Sequence, residues 1–293
     1  MWHPRLLGEL RCAAASGLVA DETALYVVAD DCTRLHIYAR GTLAEAPSVV
    51  LLPDTLPAEP RRRKAAKPDL EMLTRLPDGR LLALGSGSTP RRARGVLIPL
   101  PADPDTLSVH DVAPLYAALT AEFTELNLEG ATVTGAFLRL LQRGNGSVAT
   151  NAVIDLELAG VLDTLARGRP WPADLVRHTR RLDLGHLPGG PLGFTDAATL
   201  PEGDVLFTAV AEGGGSTYED GDFGGAALGR LDADGRLQWL TPLEGPWKIE
   251  GLSVTARDDG GLELLMVADA DDPTVPAPLL GLSLTAAQAL HGR

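Results

Sequence analysis

One segment recurs five times along this chain, so the fold has to repeat itself as well. The copies read SGLVADETALYVVADD from Ser16, LEMLTRLPDGRLLALGSGS from Leu70, LEGATVTGAFLRLLQRGNG from Leu128, TDAATLPEGDVLFTAVAE from Thr195 and IEGLSVTARDDGGLELLMVADAD from Ile249. Each has a strand rich in small residues, a turn carrying Gly or Asp, and a more apolar strand. A long period built from short apolar runs is the mark of a repeat architecture. Aligned on one position the copies give Ser16, Glu71, Glu129, Asp196 and Glu250, spaced 55, 58, 67 and 54 residues apart.

Two further strands follow most copies: Arg34–Tyr38 and Ser48–Leu52, Gly95–Leu100 and Leu107–Val109, Asn151–Leu156 and Thr179–Leu184, Gly225–Leu231 and Leu237–Thr241. Four strands per repeat make the blade of a β-propeller. The last repeat supplies only three, ending with Pro278–Leu284, and Leu6–Cys12 at the N-terminus can provide the fourth. Pairing the two chain ends removes the open edges of the ring. The expectation is therefore an all-β, single-domain propeller over residues 1–293 with five four-stranded blades. Val112–Phe123 and Leu158–Arg167 have apolar residues at helical spacing and read as insertions on the rim, as helices or as loops with a helical turn.

The formal charge of −13 argues against nucleic acid or an anionic membrane as partner. Two cysteines, Cys12 and Cys32, are too few for a disulfide framework. Their apolar surroundings read as buried thiols, with a single bridge as the alternative. No run is long enough to span a bilayer, and Gly8, Glu9 and Arg11 interrupt the apolar stretch that a signal peptide needs. The expected location is the cytoplasm.

In a propeller the first strand of each blade lines the central channel. The aligned residues should then ring one mouth, joined by the ends of the second strands at Asp30, Asp31, Ser86, Ser88, Arg143, Asn145, Glu212, Asp269 and Asp271. Four carboxylates converging there must bind a cation, retain protons, or meet N–H groups and basic side chains. A hard cation with oxygen ligands suits them, and the carbonyls of Asn127 and Asn145 could add to the set. The alternative is that each acid bonds backbone amides and locks one blade to the next. Between Arg61 and Arg94 lie ten basic residues against three acids, a segment of +7 in a chain of −13. Lys67, Arg91 and Arg92 there, with Arg143 and Lys248 from other blades, are candidates for binding a small anion. A solvated basic loop explains the same run. The six histidines lie away from the aligned positions, and no Cys/His set has zinc spacing.

The phrases KPDLEMLTRLPDGRLLALGSGS, LNLEGATV, GFTDAATLPEGDVLFTA and KIEGLSV, spread over most of the chain, resemble a family of uncharacterised bacterial propellers. That family is similar in style to the esterase-like phytase domains and, more distantly, to the calcium-dependent lactonase propellers. The resemblance implies a channel-mouth site with Glu71, Glu129, Asp196 and Glu250 around Ca²⁺, and hydrolysis of a phosphate or lactone ester. The chain differs in lacking the histidine base of many lactonase propellers and in having five blades where the phytase-like ones have six.

Two functions fit these residues. One is a hydrolase of a small anionic ester that depends on Ca²⁺, Mg²⁺ or Mn²⁺, with no organic cofactor and with Glu212 or Asp269 as general base. The other is a propeller without chemistry that binds an anionic small molecule or an acidic protein segment through the basic 61–94 blade.

Overall fold

A computed structural model describes residues 1–53, 55–144, 150–213 and 222–293. The chain opens with β1 (Arg5–Leu10) and then builds sheets in sequence. Blade one holds β2 (Ala15–Ala20), β3 (Ala24–Ala29), β4 (Arg34–Ala39) and β5 (Val49–Val50). Blade two holds β6 (Leu70–Arg75), β7 (Leu81–Gly85), β8 (Arg94–Ile98) and β9 (Ser108–Asp111). Blade three holds β10 (Leu128–Thr134), β11 (Phe137–Gln142), β12 (Asn151–Glu157) and β13 (Val176–Leu182). After the short β14 (His186–Leu187), blade four holds β15 (Gly190–Thr199), β16 (Val205–Gly213), β17 (Asp222–Leu231) and β18 (Leu237–Leu243). Blade five holds β19 (Lys248–Ala256), β20 (Leu262–Asp269) and β21 (Ala277–Leu284), and β1 completes it on the outer edge.

Every sheet is an antiparallel meander, so the five-bladed propeller expected from the repeats is the observed fold. The ring closes through β1, whose Leu10 pairs with Ala277 and whose Arg5 pairs with Gly281. Trp2 extends the closure by bridging to Leu243 of blade four, and its ring meets Trp239 edge-on at 5.3 Å.

The buried side chains form five clusters, and each lies between two neighbouring blades. Leu10, Leu18, Val27 and Leu279 join blades five and one, while Val28, Leu35, Leu70 and Val96 join one and two. The remaining interfaces are built in the same way. Apolar faces stacked in this manner explain why the strands carry apolar residues on both sides, since each central sheet is covered twice. A fully buried leucine contributes about 1.5–3 kcal/mol, so losing any one blade would expose two such interfaces.

The helices are α1 (Pro60–Ala66), α2 (Ala113–Glu122), α3 (Leu158–Arg167) and α4 (Ala286–His291). The helical reading is correct for both predicted insertions. Tyr116 of α2 donates a hydrogen bond of 3.0 Å to the Gly85 carbonyl, tying that helix to blade two beside the channel. The basic run from Arg61, expected as a loop, is helix α1. The Glu59 carboxylate accepts from the amides of Arg61 and Arg62 and caps a helix that starts at a proline. No helix among the described residues is long and apolar enough to cross a membrane.

Candidate functional site

The five inner strands share one irregularity. Their pairing slips by a residue between Ala15 and Gly17, Leu70 and Met72, Leu128 and Gly130, Phe194 and Asp196, and Ile249 and Gly251. A β-bulge leaves one residue unpaired and re-aims its side chain. The bulged residues are Ser16, Glu71, Glu129, Thr195 and Glu250. Four of them line a cavity at one mouth of the channel. In blade four the bulge falls on Thr195, one residue before the predicted Asp196, and the Thr195 hydroxyl is turned to Thr208 at 2.9 Å.

Asp196 instead occupies the place of Gly17, Gly130 and Gly251, fully buried and outside the cavity. One carboxylate oxygen accepts from the Ala197 amide and the other from the Leu252 amide, both at 2.7 Å. It thus fastens blade four to blade five, which is the amide-bonding alternative for an acid on the inner strand. Burial raises its pKa well above the ordinary carboxylate range, and the amide bonds oppose that rise. The glycines at the other equivalent positions make room for the neighbouring strand. A Cβ on Gly130 would lie 3.2 Å from the Asp196 backbone, and one on Gly251 would lie 3.2 Å from the Leu18 amide.

The cavity is small, about 60 Å³, far below the ~300–1,000 Å³ of pockets for drug-sized ligands. It accepts an ion or one functional group, not a whole sugar phosphate. Its wall carries the carboxylates of Asp30, Asp69, Glu71, Glu129, Glu212, Glu250 and Asp269 and the cations of Lys64, Lys67, Arg92, Arg143 and Lys248. Fully ionised, it would hold two more negative charges than positive. The opposite mouth is roomier, about 450 Å³, but its lining is chiefly Leu, Val, Ala and Thr, with Arg75 as its charged residue. The titratable groups therefore gather at the smaller, charged end.

Two ion-pair networks organise that end. In the first, the Lys67 ammonium contacts Asp30 and lies 3.0 Å from Asp69. Arg92 approaches the other Asp69 oxygen at 2.6 Å, and the Ser86 hydroxyl donates to the same oxygen. Asp69 sits at φ +57°, a left-handed conformation that aspartate tolerates better than most residues and that often marks a functional position. In the second network Arg143 reaches Glu212 at 2.7 Å, Glu250 at 3.5 Å and Glu129 at 3.6 Å. Lys248 reaches Asp271 at 2.7 Å, Glu212 at 2.9 Å and Glu250 at 3.8 Å.

These cations do not satisfy every acid. Glu71 accepts no hydrogen bond from any described residue, and its oxygen lies within 4.8 Å of oxygens of Asp30 and Asp69. Buried Glu250 keeps Oε2 without a donor. Burial, then the nearby Glu129 charge, pushes Glu71 well above its ordinary range. Burial pushes Glu129 up to about 8 against the pull of Arg143, and Glu250 up to about 7 against Arg143 and Lys248. Asp269 rises to about 7, again from burial, with Lys248 opposing. Lys67 and Lys248 stay charged: burial works against them, but Asp30 and Asp69 around one, and Glu250 and Glu212 around the other, outweigh it.

Of the residues predicted from sequence, Glu71, Glu129, Glu250, Lys67, Arg92, Arg143, Lys248, Glu212 and Asp269 come together at this cavity. Asp196 does not, and Arg91 is exposed and outside the lining. Asn145 lies outside the described residues. Asn127 also lines the cavity, where its side-chain amide donates to Glu129 at 2.5 Å. Asp69 was not singled out as a ligand from the sequence. Its place just before a bulge, between a proline and an acid in KPDLE, is the only signal it gives.

A divalent cation fits part of this set. Oxygens up to about 4.8 Å apart can share one ion at calcium–oxygen distances, and among the described residues none donates a hydrogen bond to Glu71. Asp30 and Asp69 are already paired with Lys67 and Arg92, so the ion would share them with those cations.

The chain belongs to a family of unknown function, DUF6929, whose sequence profile matches residues 11–284. No curated protein matches the sequence. Among solved structures it is similar to glutaminyl cyclase of Myxococcus xanthus, at 10% identity and a TM-score of 0.55, covering 97% of each chain. It is also similar to a calcium-binding protein, regucalcin, of Agrobacterium tumefaciens, at 10% identity and a TM-score of 0.47 over 97% of each chain. A match to hydrazine synthase of Kuenenia stuttgartiensis, at 10% identity and a TM-score of 0.42, covers 90% of this chain but spans only 59% of that one. The likeness to the glutaminyl cyclase, at a TM-score of 0.55, bears on the fold alone and leaves the chemistry to the site.

Proposed function

Starting from that membership, we propose that the chain is a hydrolase of a small ester, phosphoester before lactone, whose site at the charged channel mouth takes a divalent cation beside Glu71. One observation carries the reading: Glu71 is a carboxylate with no hydrogen-bond donor among the described residues, lining a cavity with an excess of acids and close to Asp30 and Asp69. Bound Ca²⁺, Mg²⁺ or Mn²⁺ would supply the missing positive charge and polarise an ester or phosphoryl oxygen.

The residues of the chain have the rest of the work. Asp269, titrating near 7, can take a proton from water and return it at neutral pH. Glu129 and Glu250 straddle the same range, so one of them holds a proton that a leaving group can accept. Glu212 is clamped between Arg143 and Lys248 and orients both cations towards the cavity. The narrow cavity admits the reacting group alone, and the body of the substrate would lie across the rim, where Arg61, Arg62 and Arg91 are exposed. The cation also resolves how an anion could enter: Lys67, Arg92, Arg143 and Lys248 are already committed to carboxylates.

Calorimetric titration of chelator-treated protein with Ca²⁺, Mg²⁺ and Mn²⁺ tests the reading, followed by turnover of an aryl phosphate and a simple lactone. Saturable binding that Glu71→Gln removes, with metal-dependent turnover, is the expected result. Absence of binding by any of the three ions would overturn it. A second reading, a propeller that binds an acidic partner without chemistry, is favoured by the exposed arginines of α1 and the adjoining turn. Reversing the charge of Arg61, Arg62 and Arg91 would then abolish capture of an acidic peptide and leave the melting temperature unchanged.

A further inference from the structure

Two residues past Asp30, blade one carries a nucleophile, a base and an acid in line that the channel-mouth site does not use. Cys32 lies in the connection between β3 and β4, His36 on β4, and Glu45 in the segment that folds back beside it. Cys32 Sγ is 3.6 Å from His36 Nε2, and His36 Nδ1 is 3.2 Å from Glu45 Oε1. We infer that Cys32 is a nucleophilic thiol, with His36 as its base and Glu45 holding His36, and that it is a site of oxidation by hydrogen peroxide.

The geometry is that of an activated nucleophile: the base within reach of the attacking atom, and its far nitrogen fixed by a carboxylate that sets the tautomer and steadies the imidazolium. A carboxylate accepting from Nδ1–H leaves Nε2 as the lone-pair nitrogen, the one that faces sulfur. The Tyr38 ring lies parallel to His36 at 6.4 Å and limits its rotation on that side. The His36 side chain is 14% exposed, while Glu45 is a surface residue whose side chain folds down to 24% exposure against the ring, so the pair is partly shielded from solvent. Cys32 itself is half-buried, unlike Cys12, which is 5% exposed.

Other charges face the thiol. Asp30 and Asp31 precede it in the chain, and Arg63 of α1 reaches over to the Asp31 carbonyl at 2.7 Å. Burial foremost, with Asp31 and Asp30 adding, pushes the Cys32 thiol up to about 11, while Arg63 pulls the other way. Reaction with peroxide needs a base within reach to take the thiol proton during attack. His36 is that base. Cys12, pushed up to about 12 by burial, is buried beside the Tyr38 hydroxyl, which accepts from its backbone amide, and has no imidazole hydrogen-bonded to it among the described residues.

The step balances without further reagents. Sulfur attacks one peroxide oxygen; an S–O bond forms as the O–O bond breaks. The thiol proton passes through His36 Nε2 to the departing hydroxide, which leaves as water. Sulfur is oxidised to the sulfenic acid and peroxide is reduced.

The experiment maps labelling residue by residue in the intact chain. Iodoacetamide, and separately hydrogen peroxide with dimedone to trap sulfenic acid, are followed by peptide mass spectrometry. Cys32 should react at least about tenfold faster than Cys12, and His36→Ala should slow Cys32 by about tenfold or more. Millimolar imidazole should restore much of that rate, which a purely structural histidine would not allow. Glu45→Gln should slow it several-fold with the melting temperature unchanged, a second readout should His36→Ala unfold. Labelling of Cys32 that is indifferent to both substitutions, or no faster than that of Cys12, would overturn the inference.

Discussion

Replacing Glu129 by glutamine should remove a pH dependence of stability that the wild type carries in its channel. Glu129 is 5% exposed, and burial raises its pKa from 4.5 to about 8. In the unfolded chain it releases its proton near 4.5, while the folded protein keeps it until about pH 8. Between those values the folded state binds more protons, so stability falls as pH rises and levels off above the folded pKa. The slope is at most ~1.4 kcal/mol per pH unit for one proton, or up to roughly 4 kcal/mol between pH 5 and 8. Glutamine keeps the acceptor for the Asn127 amide and cannot ionise.

The assay is the difference in melting temperature between Glu129→Gln and wild type, in chelator, from pH 5 to 8.5. At about 2 °C per kcal/mol for a chain of this size, the difference should grow in favour of the variant by several degrees. Groups that Glu129 does not touch cancel in the subtraction, whereas Glu71, raised in part by the Glu129 charge, and Glu250 titrate together with it, so the difference reads the cluster rather than one carboxyl. Glu250 and Asp269, raised to about 7, act with the same sign in both proteins. His110, lowered by burial, acts oppositely below its ordinary pKa, since there the unfolded chain binds the extra proton. The depressed surface carboxylates of Asp21, Asp78 and Glu263 lose their contribution only as pH falls below their ordinary values, under this window. A difference that stays flat from pH 5 to 8.5 would refute the reasoning: Glu129 would be ionised throughout, and the cavity would not be poised for proton transfer.

Asp196→Ala should cost about 2–4 kcal/mol in urea unfolding, because the buried amides of Ala197 and Leu252 lose their acceptor; a loss below 1 would mean water replaces it. Gly130→Ala should cost about 1–3 kcal/mol by the same measurement, since its Cβ meets the Asp196 backbone at 3.2 Å. An unchanged midpoint would show that the inner strands separate freely. Arg92→Ala should destabilise the chain by about 1–3 kcal/mol, because Asp69, 2% exposed, loses its partner at 2.6 Å and keeps Lys67 and Ser86 alone. Arg92→Ala in an Asp69→Asn background should recover most of that loss, and failure to recover would show that Arg92 acts through something other than the ion pair.

The repeat, the blade number and the closing strand were legible in the sequence because they rest on local patterning: two-residue alternation, turn chemistry, and one strand missing from the last copy that the first residues could supply. The gathering of Glu71, Glu129, Glu250, Arg143 and Lys248 followed from the same repeats, since equivalent positions in a closed ring must share a mouth. Three things needed the tertiary structure. Whether the bulge in blade four falls on Thr195 or Asp196 depends on pairing with β16, and a one-residue slip decides which side chain enters the cavity. The capture of Lys67 and Arg92 by Asp30 and Asp69 depends on how α1 and the turn at Pro90–Arg92 fold against blades one and two. The alignment of Cys32, His36 and Glu45 depends on a chain reversal after β4 that no spacing rule encodes. Periodicity fixes which elements form, because it acts between neighbours along the chain; charge pairing and register are settled between elements, where only the assembled ring brings the partners within reach.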